Sequence, residues 1–254
     1  MKLLFVGDVV WEVGCLFLQK KLPELKKLYQ VDITVVNGEN SAVGNGITKY
    51  SSKQIFNAGA DIITTGNHAF QRRNELSLYE NNFIIRPANY GDACPGKSFL
   101  IYDMGVCQIA VINLSGVLFM ENLDNPFVVI DNLLEQIQTP NIFIDFHAEA
   151  TSEKRAMGFY LAGRVTAVLG THTHVQTADA CILEQHTGYI TDTGMTGVED
   201  SVLGIHKQNA IDKLRLHTPI RYQEAKGNCY MNAVLIDFDN KYGKCTKITP
   251  IIVR

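Results

Sequence analysis

The feature that most restricts this chain is a series of short apolar runs, each breaking off into a polar or glycine-rich turn. Lys2–Val6 leads into Gly7-Asp8, Ile33–Val36 into Asn37-Gly38-Glu39-Asn40, and Asp61–Thr65 into Gly66-Asn67-His68. Asn141–Phe146 leads into His147-Ala148-Glu149, and Val165–Leu169 into Gly170-Thr171-His172-Thr173-His174. Tyr189–Thr191 leads into Asp192-Thr193-Gly194. Uninterrupted apolar runs of this length mark strands covered on both faces, because a strand with one wet face alternates instead.

Helical patterns lie between the runs. Trp11–Tyr29 is predicted helical with an interruption at Pro23. Ser51-x-x-Gln54 reads as a capping box opening a short helix that Gly59 closes. Pro126 suits a first helical position, followed by a stripe of Val129, Ile130, Leu133, Leu134 and Ile137. Thr151 or Ser152 can cap a further helix ending at Gly163. Ser98–Leu114 and Tyr230–Val253 read as strand–turn–strand hairpins. With no repeat, low-complexity tract or linker, residues 1–254 are expected to form one domain. Its fold class is α/β, with two packed mixed β-sheets flanked by helices.

Composition bounds the function. The net charge of −3 gives no general attraction to nucleic acid or to an anionic membrane, so a phosphate-bearing substrate needs locally supplied positive charge. The six cysteines include no Cys-x-x-Cys pair, which argues against a zinc knuckle and fits reduced thiols in the cytoplasm. The first apolar run ends at Gly7-Asp8, short of the ~7–15 apolar residues of a signal h-region. No stretch approaches the ~20 residues of a membrane span. A cytoplasmic protein without membrane contact is expected, and homo-oligomerisation is left open.

Ligands of open α/β sheets gather beyond the carboxyl ends of the strands. Here those ends deliver Asp8, Glu39, Asn67, His68, His147, His172 and His174. Each has a plain alternative: Asp8 a turn or cap, Glu39 and Asn40 a solvated loop, Asn67 a left-handed turn, a lone histidine an ordinary hydrogen-bonded group. Their convergence from independent strands outweighs these readings. In extended chain, His172 and His174 would point to the same side and address adjacent ions. His186 and His206 lack partners and are given no role. Carboxylate, amide and imidazole donors without thiolate suit manganese or iron, with zinc as a further choice. Seven donors exceed one tetrahedral ion but fit two ions ~3.5–4 Å apart, which acidify a bridging water to hydroxide and clamp a phosphoryl group.

Gly7-Asp8, Gly38-Glu39-Asn40, Gly66-Asn67-His68, His147 and Gly170-Thr-His172-Thr-His174 stand in the order found in calcineurin-like metallophosphoesterases. His147–Lys154, Gly170–Asp179 and Tyr189–Gly197 resemble the bacterial YmdB-like branch, and the likeness covers nearly the whole chain. That resemblance implies hydrolysis of 2′,3′-cyclic nucleotides or related phosphodiesters. Asp8 and His174 would hold one ion, Glu39 would bridge, and Asn67, His147 and His172 would hold the second. His68 would be the general acid protonating the leaving oxygen, a task suited to an imidazole. Val10 stands where the superfamily has a histidine, and Asn40 is expected to fill that place. Glu39 replaces the superfamily's aspartate. Gln71 replaces an acidic residue of the branch, so an orienting partner for His68 is expected to be missing. Trp11–Cys15 departs from the branch pattern and is expected to shape the substrate mouth.

Two alternatives stay open. The same centre could serve a phosphomonoesterase or broad nuclease, with Arg72, Arg73, Arg86 and Arg164 as candidate phosphate grips that are otherwise surface residues. A metal-binding regulatory protein acting through partners is the other.

Overall fold

The computed structural model describes residues 1–254. In chain order the first half comprises β1 (Lys2–Val6), β2 (Asp8–Val9), α1 (Trp11–Tyr29), β3 (Ile33–Asn37), α2 (Lys49–Asn57), β4 (Ile62–Thr64), β5 (Ile84–Ile85), β6 (Phe99–Asp103) and β7 (Gln108–Ser115). The second half comprises α3 (Pro126–Leu134), β8 (Ile142–His147), α4 (Thr151–Tyr160), β9 (Ala167–Thr171), β10 (Cys181–Leu183) and β11 (Thr187–Ile190). It closes with β12 (Met195–Val198), α5 (Lys207–Leu216), β13 (Cys229–Asp239) and β14 (Lys244–Val253).

The strands form two mixed sheets, as expected. The first runs β2-β12-β13-β1-β3-β4-β5, with β14 paired to β13, and its β1-β3-β4-β5 portion is parallel. The second runs β10-β11-β9-β8-β7-β6, parallel from β11 to β7. Side chains alternate between two apolar layers. Leu3, Phe5, Ile33 and Val35 point into the layer between the sheets, where Val111, Phe143 and Leu169 meet them. Leu4, Val6 and Val36 point the other way, onto Leu18 and Leu22 of α1 and Ile55 of α2. In the second sheet Ala110, Ile112 and Leu114 turn outward onto Ile130 of α3 and Met157 of α4. The layers are therefore helix, sheet, sheet, helix. That double burial explains why the runs show no polar alternation. No helix is long and apolar enough to cross a membrane.

Several local expectations change. Helix α1 is continuous through Pro23, because Pro23 lies on its exposed side while Leu18, Leu22 and Leu25 hold the buried stripe. Helix α2 opens three residues earlier than expected. Thr48 is its N-cap, accepting from the Ser51 N–H at 3.0 Å while Ser51 Oγ accepts from the Thr48 N–H at 3.0 Å. The box is thus Thr48/Ser51, not Ser51/Gln54. Neither Thr151 nor Ser152 caps α4, which begins after Ala150 with no side-chain cap. Asn125 caps α3 ahead of Pro126, and that helix ends before Ile137. Both hairpins, β6–β7 and β13–β14, form as antiparallel pairs.

Candidate active site

The carboxyl ends of β1, β3 and β4 in one sheet and β8 and β9 in the other open toward one place. There Glu39, His147 and His172 bring ligand atoms within 4.8 Å of one another. His147 Nε2 lies 3.1 Å from Glu39 Oε1, 2.9 Å from Asn67 Oδ1 and 3.0 Å from His172 Nδ1. The surrounding bonds determine which of these atoms carry protons. Thr171 Oγ1 donates to Asp145 Oδ1 at 2.7 Å, so toward His147 Nδ1, 2.9 Å away, it can only accept. That puts the neutral ring's proton on Nδ1 and leaves Nε2 with a lone pair. His172 Nε2 lies 3.1 Å from Glu149 Oε2, which draws its proton to that side and leaves Nδ1 bare. With both rings neutral, two imidazole lone pairs, a carboxylate oxygen and an amide oxygen face one another. Such a set suits a cation.

The electrostatics agree. Burial opposes charge on His147, yet Glu39 beside it prevails and raises its pKa to about 9. Burial drives His172 down to about 3, helped by the charge of His147. Burial would raise the pKa of Glu39, but His147 and His68 hold it well below the usual carboxylate range. The pocket attracts one positive charge, as a proton or a metal.

A second group adjoins the first. Asp8 Oδ1 is buried with no hydrogen-bond partner, and His174 Nε2 lies 3.6 Å from it. Asn40 Nδ2 stands 2.8 Å from Glu39 Oε1 and 3.3 Å from His174 Nε2, joining the two groups through Glu39. Val10 and Asn40 both border the same cleft. Glu39 is fully buried and Asn40 nearly so, which removes the solvated-loop reading for both. An orphaned carboxylate oxygen and converging N and O donors fit a pair of cations. Asp8 and His174 would hold one, Asn67, His147 and His172 the other, with Glu39 shared; Asn40 would join the first only through its amide oxygen, which here faces His68.

His68 stands at the rim. Its Nδ1 lies 3.0 Å from Asn40 Oδ1 and 3.2 Å from Glu39 Oε1, and its backbone N–H donates to Glu39 Oε2 at 3.1 Å. The ring is therefore oriented without an acidic residue at position 71, contrary to expectation. The exposed Gln71 is replaced in that task by Asn40 and Glu39. The cleft, of about 270 Å³, is bordered by Trp11, His68, Glu149, His172, His174 and Leu203, among others. Trp11 lines this cleft.

His172 and His174 reach their two groups by a different backbone from the extended one expected. Both have positive φ, 100° and 63°, in a turn that swings the first ring to His147 and the second to Asp8. A buried ion pair clamps this turn. Lys154 Nζ donates to Asp192 Oδ2 and to Thr171 O, each at 2.7 Å, and Asp192 Oδ2 also accepts from the Thr173 N–H at 3.0 Å. Gly66 admits the cluster: a Cβ there would collide with Glu39 Oε2 and the His147 ring. Asp145, Glu149, Lys154, Thr171 and Asp192 escaped the sequence reading. Only the partners brought by neighbouring strands reveal them. Of the four arginines, Arg86 is buried and donates to the Pro87 and Gly91 carbonyls, and Arg72 is bound to the Asn45 carbonyl. Arg164 pairs with Asp131 and Arg73 is exposed; none borders the cleft.

The layered fold and this donor set define a phosphoesterase of the α/β/β/α metallophosphoesterase class. The family described as YmdB-like protein matches residues 4–251, and the chain belongs to it. It is 42% identical over 257 residues to the 2′,3′-cyclic-nucleotide 2′-phosphodiesterase of Bacillus subtilis (strain 168), covering 100% of this chain and 97% of that one. A crystal structure of a novel phosphatase from Mycoplasma pneumoniae superposes with a TM-score of 0.95 at 31% identity, covering 100% of this chain and 93% of that one. The crystal structure of a hypothetical protein from Thermus thermophilus also gives 0.95, at 36% identity, covering 100% of this chain and 99% of that one.

Proposed function

We propose that this enzyme is a dinuclear-metal phosphodiesterase acting on 2′,3′-cyclic nucleotides or related phosphodiesters, with His68 as general acid. The observation that carries it is the convergence of Glu39, Asn67, His147 and His172 beside the orphaned Asp8 Oδ1. A bound cation pair would acidify water and take up negative charge on the phosphoryl oxygens. Around that centre the protein's own groups orient and donate. Asn40 Oδ1 and Glu39 Oε1 both accept from His68 Nδ1, so in the imidazolium form the second proton sits on Nε2, the atom free to give it. Water adds its oxygen to phosphorus and releases a proton to solvent, one P–O ester bond of the ring breaks, and the departing sugar oxygen takes the proton from Nε2. The name of the Bacillus subtilis relative supports the cyclic nucleotide as substrate. The absence of any Arg or Lys from the cleft lining favours a diester over a terminal phosphate, whose second charge would need a cation there.

The test is metal analysis of the purified protein with turnover of 2′,3′-cyclic AMP and bis-p-nitrophenyl phosphate under manganese or iron loading. Turnover that EDTA abolishes and the metal restores is expected. No turnover of either ester by protein with metal shown bound would overturn the reading.

A further inference from the structure

A second, larger cavity adjoins the catalytic cleft. Its volume is about 550 Å³, and it shares two wall residues with the cleft, Trp11 and Asn45. The cleft alone, at about 270 Å³, lies below the ~300–1,000 Å³ usual for small-ligand pockets. A substrate larger than this cleft must continue beyond it. Asn45 marks the junction, its Nδ2 being 3.5 Å from His68 Nε2.

The wall of the larger cavity has the chemistry of a nucleotide site. Trp11 and Tyr222 supply aromatic rings, and Arg221 supplies a guanidinium with no carboxylate in ion-pair range. Lys213 Nζ, from outside the lining, stands 4.1 Å from the Tyr222 ring centroid. In a chain of net charge −3, and beside a cleft without any Arg or Lys, this is where further phosphate charge is met. Glu224, also on the wall, is engaged by the Val13 N–H at 3.4 Å and leaves an acceptor for base or ribose donors. Gly44, Asn45 and Gly46 all have positive φ, and Arg72 Nε donates to the Asn45 carbonyl at 2.8 Å.

We propose that this cavity is a subsite for a second nucleotide unit. The substrate class is then a short oligonucleotide ending in a 2′,3′-cyclic phosphate, with a base at Trp11 and Tyr222 and the internucleotide phosphate at Arg221. The proposal rests on the phosphodiesterase reading above.

The test uses metal-loaded full-length protein and two substrates, 2′,3′-cyclic AMP and the dinucleotide ApA bearing a terminal 2′,3′-cyclic phosphate. The wild type should show the higher kcat/KM on the dinucleotide. Arg221→Ala and Tyr222→Ala should each lower kcat/KM on the dinucleotide at least ~5-fold more than on the mononucleotide, mainly through KM, since one stacked base is worth at least that factor. Arg221→Lys and Tyr222→Phe should recover most of the difference. Equal effects on both substrates, in variants with wild-type melting temperatures, would overturn the subsite and leave the phosphodiesterase reading standing. Hydrolysis of neither substrate by the wild type would overturn that reading and the subsite with it.

Discussion

His68 and the donors behind it differ in what they hold. His68→Ala should keep both metals while losing ~10²–10⁴ in kcat, the usual worth of a positioned acid. Metal analysis beside a turnover assay checks this, and loss of an ion would make His68 a ligand. Thr171→Val removes the acceptor that sets the His147 tautomer, so metal affinity measured by chelator competition should fall ~10–100-fold. The direction with pH follows from His147. Burial disfavours its proton, Glu39 favours it more, and the result is a pKa of about 9. A metal must displace that proton, so affinity should rise with pH and level off above about 9; titration calorimetry in buffers of different ionisation enthalpy would show the proton released. Affinity independent of pH would contradict this. At this scale the sequence was informative about donors, since Asp8, Glu39, Asn67 and His147 each close or follow a strand. It was silent about Asp145, Thr171 and Glu149. Their roles depend on which strands lie side by side, and a single sequence carries no direct record of that.

Among the elements, the parallel strands and both hairpins were legible because apolar runs and turn residues are local signals. Helix starts were less so. Thr48 precedes an ordinary-looking Lys49-Tyr50 pair, and only the reciprocal bonds with Ser51 identify it as the cap. Thr48→Ala should cost ~1 kcal/mol in denaturant unfolding. Lys154 misleads in the opposite sense. In Thr-Ser-Glu-Lys-Arg it looks like a wet helical face, yet its side chain is 1% exposed against a fully buried Asp192. Lys154→Met leaves that carboxylate without its cation and should cost ~3–5 kcal/mol. It should also loosen the His172–His174 turn, visible as weaker metal binding. A stability change within error would show that the Thr173 and Gly194 N–H groups suffice for Asp192.

Across the whole molecule, the donors are divided between the two sheets. Asp8, Glu39, Asn40 and Asn67 extend from the first, His147 and His172 from the second, with His174 in the loop that follows. Metal binding should therefore stabilise the packing of one sheet on the other. An ion at a hundredfold excess over its Kd adds ~2.7 kcal/mol. For a chain of this size, that is ~5–10 °C in Tm, lost on adding EDTA and seen by calorimetry. An unchanged Tm on chelation would mean that the ions do not bind the native state with that affinity.

The split also ties together two properties that natural selection could otherwise adjust separately. The gap between Glu39 and His147 is set by how Phe5, Val35, Phe143 and Leu169 fill the layer between the sheets. A methyl group gained or lost there, far from any substrate, changes the spacing of the donors as surely as a substitution among the donors themselves. Substitutions in that apolar layer should therefore be felt in the chemistry at its edge.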